Sequence, residues 1–256
     1  MEDKTLQGAI DSSVSAGIAR ITFSHPAHNS LPGRLLAQLT RAIDEAGQKE
    51  EVRVVILQSG GDRTFCAGAS FDELAAIQDL ERGHAFFMGF AKVINAIRKC
   101  PKFVIGRVQG KAIGGGVGLA AATDHCFATQ FASVKLSELA IGIGPFVVGP
   151  AVARKMGQSA FQQLAIDATS WQSAEWARDK GLYSEIFPDT AALDEAVQKL
   201  AEQLAASSPA AMAQLKTACW TGTEHWDELL SERAKISGEL VLSDFSKAAI
   251  ARFKAK

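Results

Sequence analysis

The sequence predicts a mixed α/β (α+β) fold. Three observations carry the prediction. Residues 17–23 (GIARITF) alternate apolar and polar, residues 52–61 (VRVVILQSGG) are apolar on both faces, and the segment between them places apolar side chains at helical spacing. A strand apolar on both faces belongs in a sheet covered on both sides. Strand, helix and strand in that order are the beginning of an α/β or α+β architecture. The chain has 256 residues, 47% of them hydrophobic and 21% charged, which suffices for one large core.

The first strand ends at SHPAHNSLP, whose prolines and Asn29 mark a loop. The helix then starts near Pro32 and runs to about Glu50, with Leu35, Leu36, Leu39, Ile43 and Ala46 on one face. After the loop RTFCAGASF, residues 72–99 are helical in pattern, with a break or bend expected near Gly83 and Gly89 and a stop at Pro101. FVIGRVQG (103–110) is a second buried strand; it leads into a glycine cluster and a helix over residues 115–122. CFAT is a short strand, and ASVKLSELAIGIGPF continues as strand and loop. VVGPAVARKMG, SAFQQLAID and SAEWARDKG are helical, and Gly157 and Gly181 suit left-handed C-caps. YSEIF is a last short strand, and helices over 191–206, 209–220 and 223–242 follow. With no internal repeat and no low-complexity linker, the expected division is a strand-rich part over 1–200 and a helical tail over 201–256.

Twenty-seven Lys and Arg oppose 28 Asp and Glu, so no long-range field favours nucleic acid, and no basic run makes a local patch. Cys66, Cys100, Cys126 and Cys219 form no CxxC pair and have no His at ligand spacing; they read as reduced thiols, with no metal site. The N-terminus MEDKTLQGAIDSS is polar, unlike a signal or transit peptide, and no apolar run is long enough to span a membrane. These features predict a cytoplasmic protein with neither nucleic-acid nor membrane partners.

The segment QGKAIGGGVGLAAATD (109–124) places bare backbone before a plain helix. Unsatisfied amides at a helix N-terminus point outward with the positive dipole end behind them, and glycine lets a ligand reach them. One reading is a dinucleotide fingerprint, because Gly116, Gly118 and Ala121 fit G-x-G-x-x-A and Glu138 follows about twenty residues later. Against it, the cluster lies far from the first strand-helix-strand unit. A second reading is close packing of helix on strand. A third is an oxyanion hole, which needs another donor. TFCAGASFDEL (64–74) offers one: a second small-residue turn between a buried strand and a helix, placing the amides of Ala69 and Gly115 around one oxygen.

FCAGASFDEL resembles the F-[SCA]-A-G-[AG]-D-x-x-E segment of the crotonase superfamily, the enoyl-CoA hydratases and isomerases. QGKAIGGGVGLAAATD is similar to that family's glycine signature, and ITFSHPAHNSL, CPKFVIGRVQG and LSELAIGIGP resemble its flanking elements. The resemblance runs from about residue 16 to 200. It implies a spiral of ββα units, a C-terminal helical trimerisation region, and a homotrimer or dimer of trimers acting on an acyl-CoA thioester. It further implies that Ala69 and Gly115 supply the oxyanion donors. Cys66, Ala67, Gly68, Ala69, Phe71, Gly114, Gly115, Gly118 and Phe146 are then the expected substrate-binding residues. No metal or redox cofactor is implied, since coenzyme A is part of the substrate.

Hydratases of this family carry two glutamates. Here the first position is Gly118, and the second is Glu138, flanked by Leu136, Leu139 and Ile141, which would raise its pKa. One carboxylate suffices for Δ3,Δ2 double-bond isomerisation, which needs a base that takes and returns one proton. Resemblance along the chain favours instead hydration of a 2-enoyl-CoA, branched and 3-methylglutaconyl-like among the candidates, with Glu138 as acid/base. A non-catalytic or RNA-associated member of the fold is a third reading, motivated by the missing glutamate and by Ser70 where the family has aspartate. Asp72, Glu73 and His84 are candidate replacement acids, each with the plainer reading of a solvated helix face. Asp124 reads as a turn anchor. A dehalogenase aspartate would fall near Pro145 or Phe146, neither of which is a nucleophile. Phe146, Val147 and Val148 suit an acyl pocket or ordinary core equally, and Trp171, Trp176, Trp220 and Trp226 read as core or interface anchors.

Overall fold

The large sheet of the computed structural model, which describes residues 7–254, has six strands. The polar residues 1–6, read as lacking a leader, and the last two residues of the expected tail lie outside those described. The strands are β1 (Ala9–Ser15), β2 (Ile18–Ser24), β3 (Val54–Ser59), β5 (Phe103–Val108), β7 (His125–Thr129) and β9 (Glu185–Phe187), in that spatial order. β1 is antiparallel to β2 and all other neighbours are parallel. A second, parallel sheet holds β4 (Thr64–Cys66), β6 (Lys111–Ile113) and β8 (Val134–Lys135).

Chain order alternates between the sheets. Each of β3, β5 and β7 is followed by a short strand of the small sheet and then by helical chain. The first winding keeps this plan in reduced form: β2 leads to Leu31, which makes a single parallel bridge to Ala69, and then to helix α1 (Gly33–Gln48). The sequence shows no repeat, yet the backbone repeats a strand, strand, helix step. This is the ββα spiral that the resemblance implied.

The period-two pattern of the strands explains why both sheet faces are covered. In β3, Val55 and Leu57 join the main core, whereas Val54 and Ile56 join a second cluster under helix α8 (Thr190–Ala205) through Leu193, Val197 and Ala201. Arg107 on β5 reinforces that contact by donating to Asp194 at 2.6 Å. A division of the chain at residue 200 therefore falls inside one helix, and one that belongs to the sheet. The antiparallel edge strand β1 left no apolar alternation to read, because most of its residues are exposed.

Residues 72–99 form two helices, α2 (Phe71–Ala75) and α3 (Leu80–Lys99), and the break lies between them, not at the glycines. Ser70 caps α2, its Oγ accepting from the Glu73 amide at 3.4 Å; Asp79 caps α3, its carboxylate accepting from the Arg82 amide at 2.8 Å. Gly83 and Gly89 sit inside α3 for packing. A Cβ on Gly83 would lie 2.8 Å from the Gly238 carbonyl oxygen, and one on Gly89 would press into Leu36 of α1. Gly238 belongs to a later helix, Trp226–Leu240, so two bare positions let these helices meet closely.

The remaining helices are α4 (Gly115–Ala122), α5 (Gly149–Met156), α6 (Gln158–Ile166), α7 (Ala174–Asp179), α9 (Pro209–Cys219), α10 (Trp226–Leu240) and α11 (Asp244–Lys254). α11 continues the chain beyond the last helix the sequence pattern predicts. Asp124, just past α4, anchors more than a turn. Its Oδ2 accepts from the Val104 amide at 2.7 Å and from Lys216 Nζ at 2.8 Å, and its Oδ1 accepts from Trp220 Nε1 at 2.7 Å. Lys216 also donates to the carbonyls of Ile97 and Lys102, so one buried ion pair ties the sheet to α9.

Candidate active site

The small sheet positions the site. β4 and β6 run parallel, and each ends in a turn of small residues. The first turn, Ala67-Gly68-Ala69, is held on one side by Leu31, whose amide donates to the Gly68 carbonyl at 2.8 Å. On the other side Cys66 Sγ accepts from the Gly68 amide at 3.4 Å. The second turn is Gly114, with φ +54, followed at once by α4. The two turns abut: a Cβ on Gly68 would sit 3.1 Å from the Ile113 carbonyl oxygen and 3.6 Å from the Gly115 nitrogen. Among the described residues, neither the Ala69 nor the Gly115 amide donates a hydrogen bond. Two free amides at adjoining turns, one of them opening a helix, form a donor pair for an anionic oxygen.

Glu138 opens a 3-10 turn (Glu138–Ile141) after β8. Its carboxylate lies against the Cα of Gly114, where a Cβ would be 3.0 Å from Oε1 and 3.6 Å from Oε2. The left-handed φ and this contact both require glycine at 114. Part of the Glu138 residue reaches the surface, yet Oε2 is shut off from solvent and has no hydrogen-bond partner among the described residues. Burial pushes the carboxyl up to about 7, against a smaller opposing pull from its own backbone amide. An acid of this kind is half ionised near neutrality and can both take and return a proton.

These groups line one apolar cleft. Ala67, Gly68, Ala69 and Phe71 enter it from the first turn, Gly114 and Gly115 from the second, and Glu138 and Phe146 from the chain beyond β8. Two expected binding residues do not line it. Cys66 lies beneath, buried, where a Cβ on Gly116 would meet it at 2.8 Å; burial raises its thiol to about 12, leaving it a packing group and an acceptor. Gly118 is covered by Val148, whose Cβ would be 2.6 Å from a Cβ at 118. It is Val148 that faces the cleft, so the place where the resemblance expects a first glutamate is filled by an aliphatic side chain. With Gly116 packed on β4 and Gly118 on Val148, the glycines leave no open groove for a dinucleotide.

The replacement acids stand elsewhere. Glu73 Oε2 accepts from the Gly33 amide at 2.7 Å, His84 Nε2 lies 3.2 Å from Ser231 Oγ on α10, and Asp72 is exposed. Among the described residues, Glu138 is the one titratable residue lining the cleft. Sequence reasoning missed the aromatic wall from α3, Phe86, Phe87 and Phe90, and the aliphatic Ile143, and had Ile141 only as a neighbour of Glu138. Phe90 covers Gly115, where a Cβ would strike its ring. A helical pattern over residues 72–99 does not say which of its apolar side chains border an open cleft.

A second depression adjoins the first, sharing Ala67 and Ile113 with it, and is lined by His28, Arg63, Lys111 and Trp171. Trp171 is 41% exposed, with Lys111 and Lys135 ammonium groups 5.1 and 5.2 Å from its ring centre. Trp220 and Trp226 are buried against each other, edge to face at 5.8 Å.

Fold and cleft together define a spiral αβ protein that presents two free amides and one dry carboxylate to the same apolar space. Comparison with known proteins makes the class specific. Residues 13–254 match the family model described as enoyl-CoA hydratase/isomerase. The chain is 30% identical over 250 residues to a probable enoyl-CoA hydratase of Bacillus subtilis, covering 97% of this chain and 96% of that protein. It is 30% identical over 229 residues to the peroxisomal Delta(3,5)-Delta(2,4)-dienoyl-CoA isomerase of Arabidopsis thaliana, 83% and 80% of the two chains. It is 32% identical over 200 residues to mitochondrial methylglutaconyl-CoA hydratase of Mus musculus, 77% and 63% of the two. Among solved structures, enoyl-CoA hydratase from Bacillus halodurans superposes with a TM-score of 0.87 at 22% identity, over 95% of this chain and 99% of that one. The chain belongs to the enoyl-CoA hydratase/isomerase family and is an enzyme of one of those two types. Among the described residues no helix is long and apolar enough to cross a membrane.

Proposed function

We propose that this protein hydrates a 2-enoyl-CoA, with the Ala69 and Gly115 amides holding the thioester oxygen and Glu138 as the one proton-transfer group. The observation that carries this reading is the unpartnered carboxylate of Glu138, dry and placed against Gly114 at the mouth of the amide pair. In hydration, Glu138 takes a proton from water as the water oxygen bonds to Cβ. The double-bond electrons move onto the thioester oxygen, where the two amides stabilise the charge as it develops. The protonated Glu138 then delivers its proton to Cα, the carbonyl re-forms and the carboxylate is regenerated. Atoms and charge balance with one acid.

The cationic depression beside the cleft, with Arg63, Lys111 and His28, suits the phosphates of coenzyme A, and Trp171 offers a face for its base. The thioester supplies the activation, so this chemistry needs no metal. A reducing compartment fits the four free cysteines, three of them buried. A homotrimer or dimer of trimers is the proposed assembly, for which Ile166 (74% exposed) and Phe131 (63%) are candidate contacts; light scattering giving a monomer mass would refute it.

A second reading is double-bond isomerisation, favoured by Val148 in front of Gly118. An aliphatic neighbour to the acid neither orients nor deprotonates water, and isomerisation needs only that Glu138 move one proton from Cα of a 3-enoyl thioester to Cγ. Absorbance at the enoyl-thioester band separates the two. Loss of the band from crotonyl-CoA or 3-methylglutaconyl-CoA is expected for hydration, and its growth from a 3-enoyl-CoA for isomerisation. No change with any of them would sink both readings.

A further inference from the structure

The cleft has a polar end and an apolar end, and different parts of the molecule close them. Ala67 and Ile113 border the cationic depression. Away from it, the lining side chains Phe71, Leu74, Phe86, Ile141 and Ile143 are not part of the main core. They belong to a separate cluster completed by Val241, Leu242, Ala249 and Ile250 of the C-terminal chain. Phe71, Leu74 and Ile141 stand on short supports: α2 has five residues and the 3-10 turn has four. Elements of that length have almost no stability of their own and depend on what they pack against.

What they pack against is α11. Ser243 starts it, its Oγ accepting from the Ser246 amide at 3.2 Å. Phe245 and Ser246 press on Gly142 at the end of the 3-10 turn, Ile250 is buried, and the Phe253 ring stacks on Phe71 with centres 5.4 Å apart and planes 24° from parallel. Among the described residues no α11 side chain lines the cleft itself; the helix is the layer directly behind the lining.

We infer that α11 is the end-stop of the acyl pocket: by fixing Phe71, Leu74 and Ile141 from behind, it limits the substrate to short acyl chains. A longer chain must push Phe71 outward, and Phe253 and Ile250 stand in its way. They act as positioning residues for specificity, through Phe71, without touching the substrate. The inference rests on the acyl-CoA reading of the cleft given above.

The test measures kcat/KM for crotonyl-CoA and for trans-2-decenoyl-CoA in the wild type and in Phe253→Ala and Ile250→Ala variants, with circular dichroism melts to confirm folding. Phe253 is 56% exposed, so its truncation leaves the fold intact even if Ile250→Ala does not. The wild type is expected to prefer the short thioester, and Phe253→Ala to raise the decenoyl-to-crotonyl ratio roughly tenfold, in the range that a pocket discriminates on length. The gain should come mainly through KM for the long substrate. A general loosening of the protein would instead lower turnover of both thioesters in step, and that result, or an unchanged ratio in a folded Phe253→Ala, overturns the inference. Absence of turnover by the wild type of both these thioesters and of a 3-enoyl-CoA would count against the acyl-CoA reading itself, a distinguishable failure.

Discussion

Helix α4 has a carboxylate near each end, and the two are treated in opposite ways. Asp124, just past its C-terminus, accepts three hydrogen bonds, from a strand amide, a buried lysine and an indole. Glu138, beside its N-terminus, is no less shielded at Oε2 but has no partner there. A folded chain can satisfy a buried acid completely, as it does at Asp124, so leaving one unsatisfied at the other end of the same helix is not a failure of packing. Satisfying an acid joins elements together. Leaving it unsatisfied holds its protonation in balance and its lone pairs available.

The contrast can be broken from either side. Removing the acid function at Glu138 is expected to have the largest effect: Glu138→Gln keeps the shape and should lower kcat by about 10²–10⁴-fold, and near wild-type turnover would remove Glu138 from the mechanism. Asp124→Ala should instead act on stability. It strands Lys216, 3% exposed, without its counter-charge, at a cost of about 3–5 kcal/mol in denaturant melts. Replacing both by apolar residues, Asp124→Leu with Lys216→Met, should recover a good part of that loss, and equal damage in single and double variants would argue against a charge effect.

Gly114→Ala tests the seat of the acid. A Cβ there meets Oε1 at 3.0 Å in a backbone conformation that disfavours alanine, so the carboxylate must shift. Turnover should fall by about 10²-fold, the order of effect of a small misplacement of a reacting group, with the fold retained by circular dichroism.

The smallest effects are in pH. In the proposed hydration Glu138 acts first as a base, so kcat/KM should fall about tenfold per unit as pH drops below about 7. Stability runs the other way. The carboxyl is raised from 4.5 to about 7 on folding, so between those values the native state holds the proton more tightly than the unfolded chain. The buried acid costs nothing below pH 4.5, and its penalty grows until it is complete above 7. Glu138→Gln should therefore raise Tm above pH 7 and leave it nearly unchanged in acid; the opposite trend would mean the carboxyl is solvated.

Much of this could be read from the chain alone, for reasons visible in particular residues. The helix over 115–122 and the strand at 103–108 were plain because apolar runs there are long and sharply bounded. β4 and β6 were not, since strands of three residues have no period to detect, and β8 was read only as part of a longer stretch of strand and loop. Gly83 and Gly89 suggested a bend because sequence cannot distinguish a glycine that breaks a helix from one that lets another helix approach. At the site, Glu138, Ala69 and Gly115 were found from turn chemistry and resemblance. Val148 over Gly118 was not, because that contact joins residues thirty positions apart with no shared local pattern. α11 escaped for the same reason: its partners, Phe71 and Gly142, are distant in sequence.

The alternation of strands between two sheets has one more consequence. The two amides come from successive windings, the second and third, while the acid comes from the fourth. In the proposed mechanism, grip on the carbonyl and handling of the proton thus reside on separate stretches of backbone. Rewriting the stretch after β8 alone would leave the thioester seized as before and change only what happens to its carbons, so one scaffold can be turned from one reaction to another by editing a single coil.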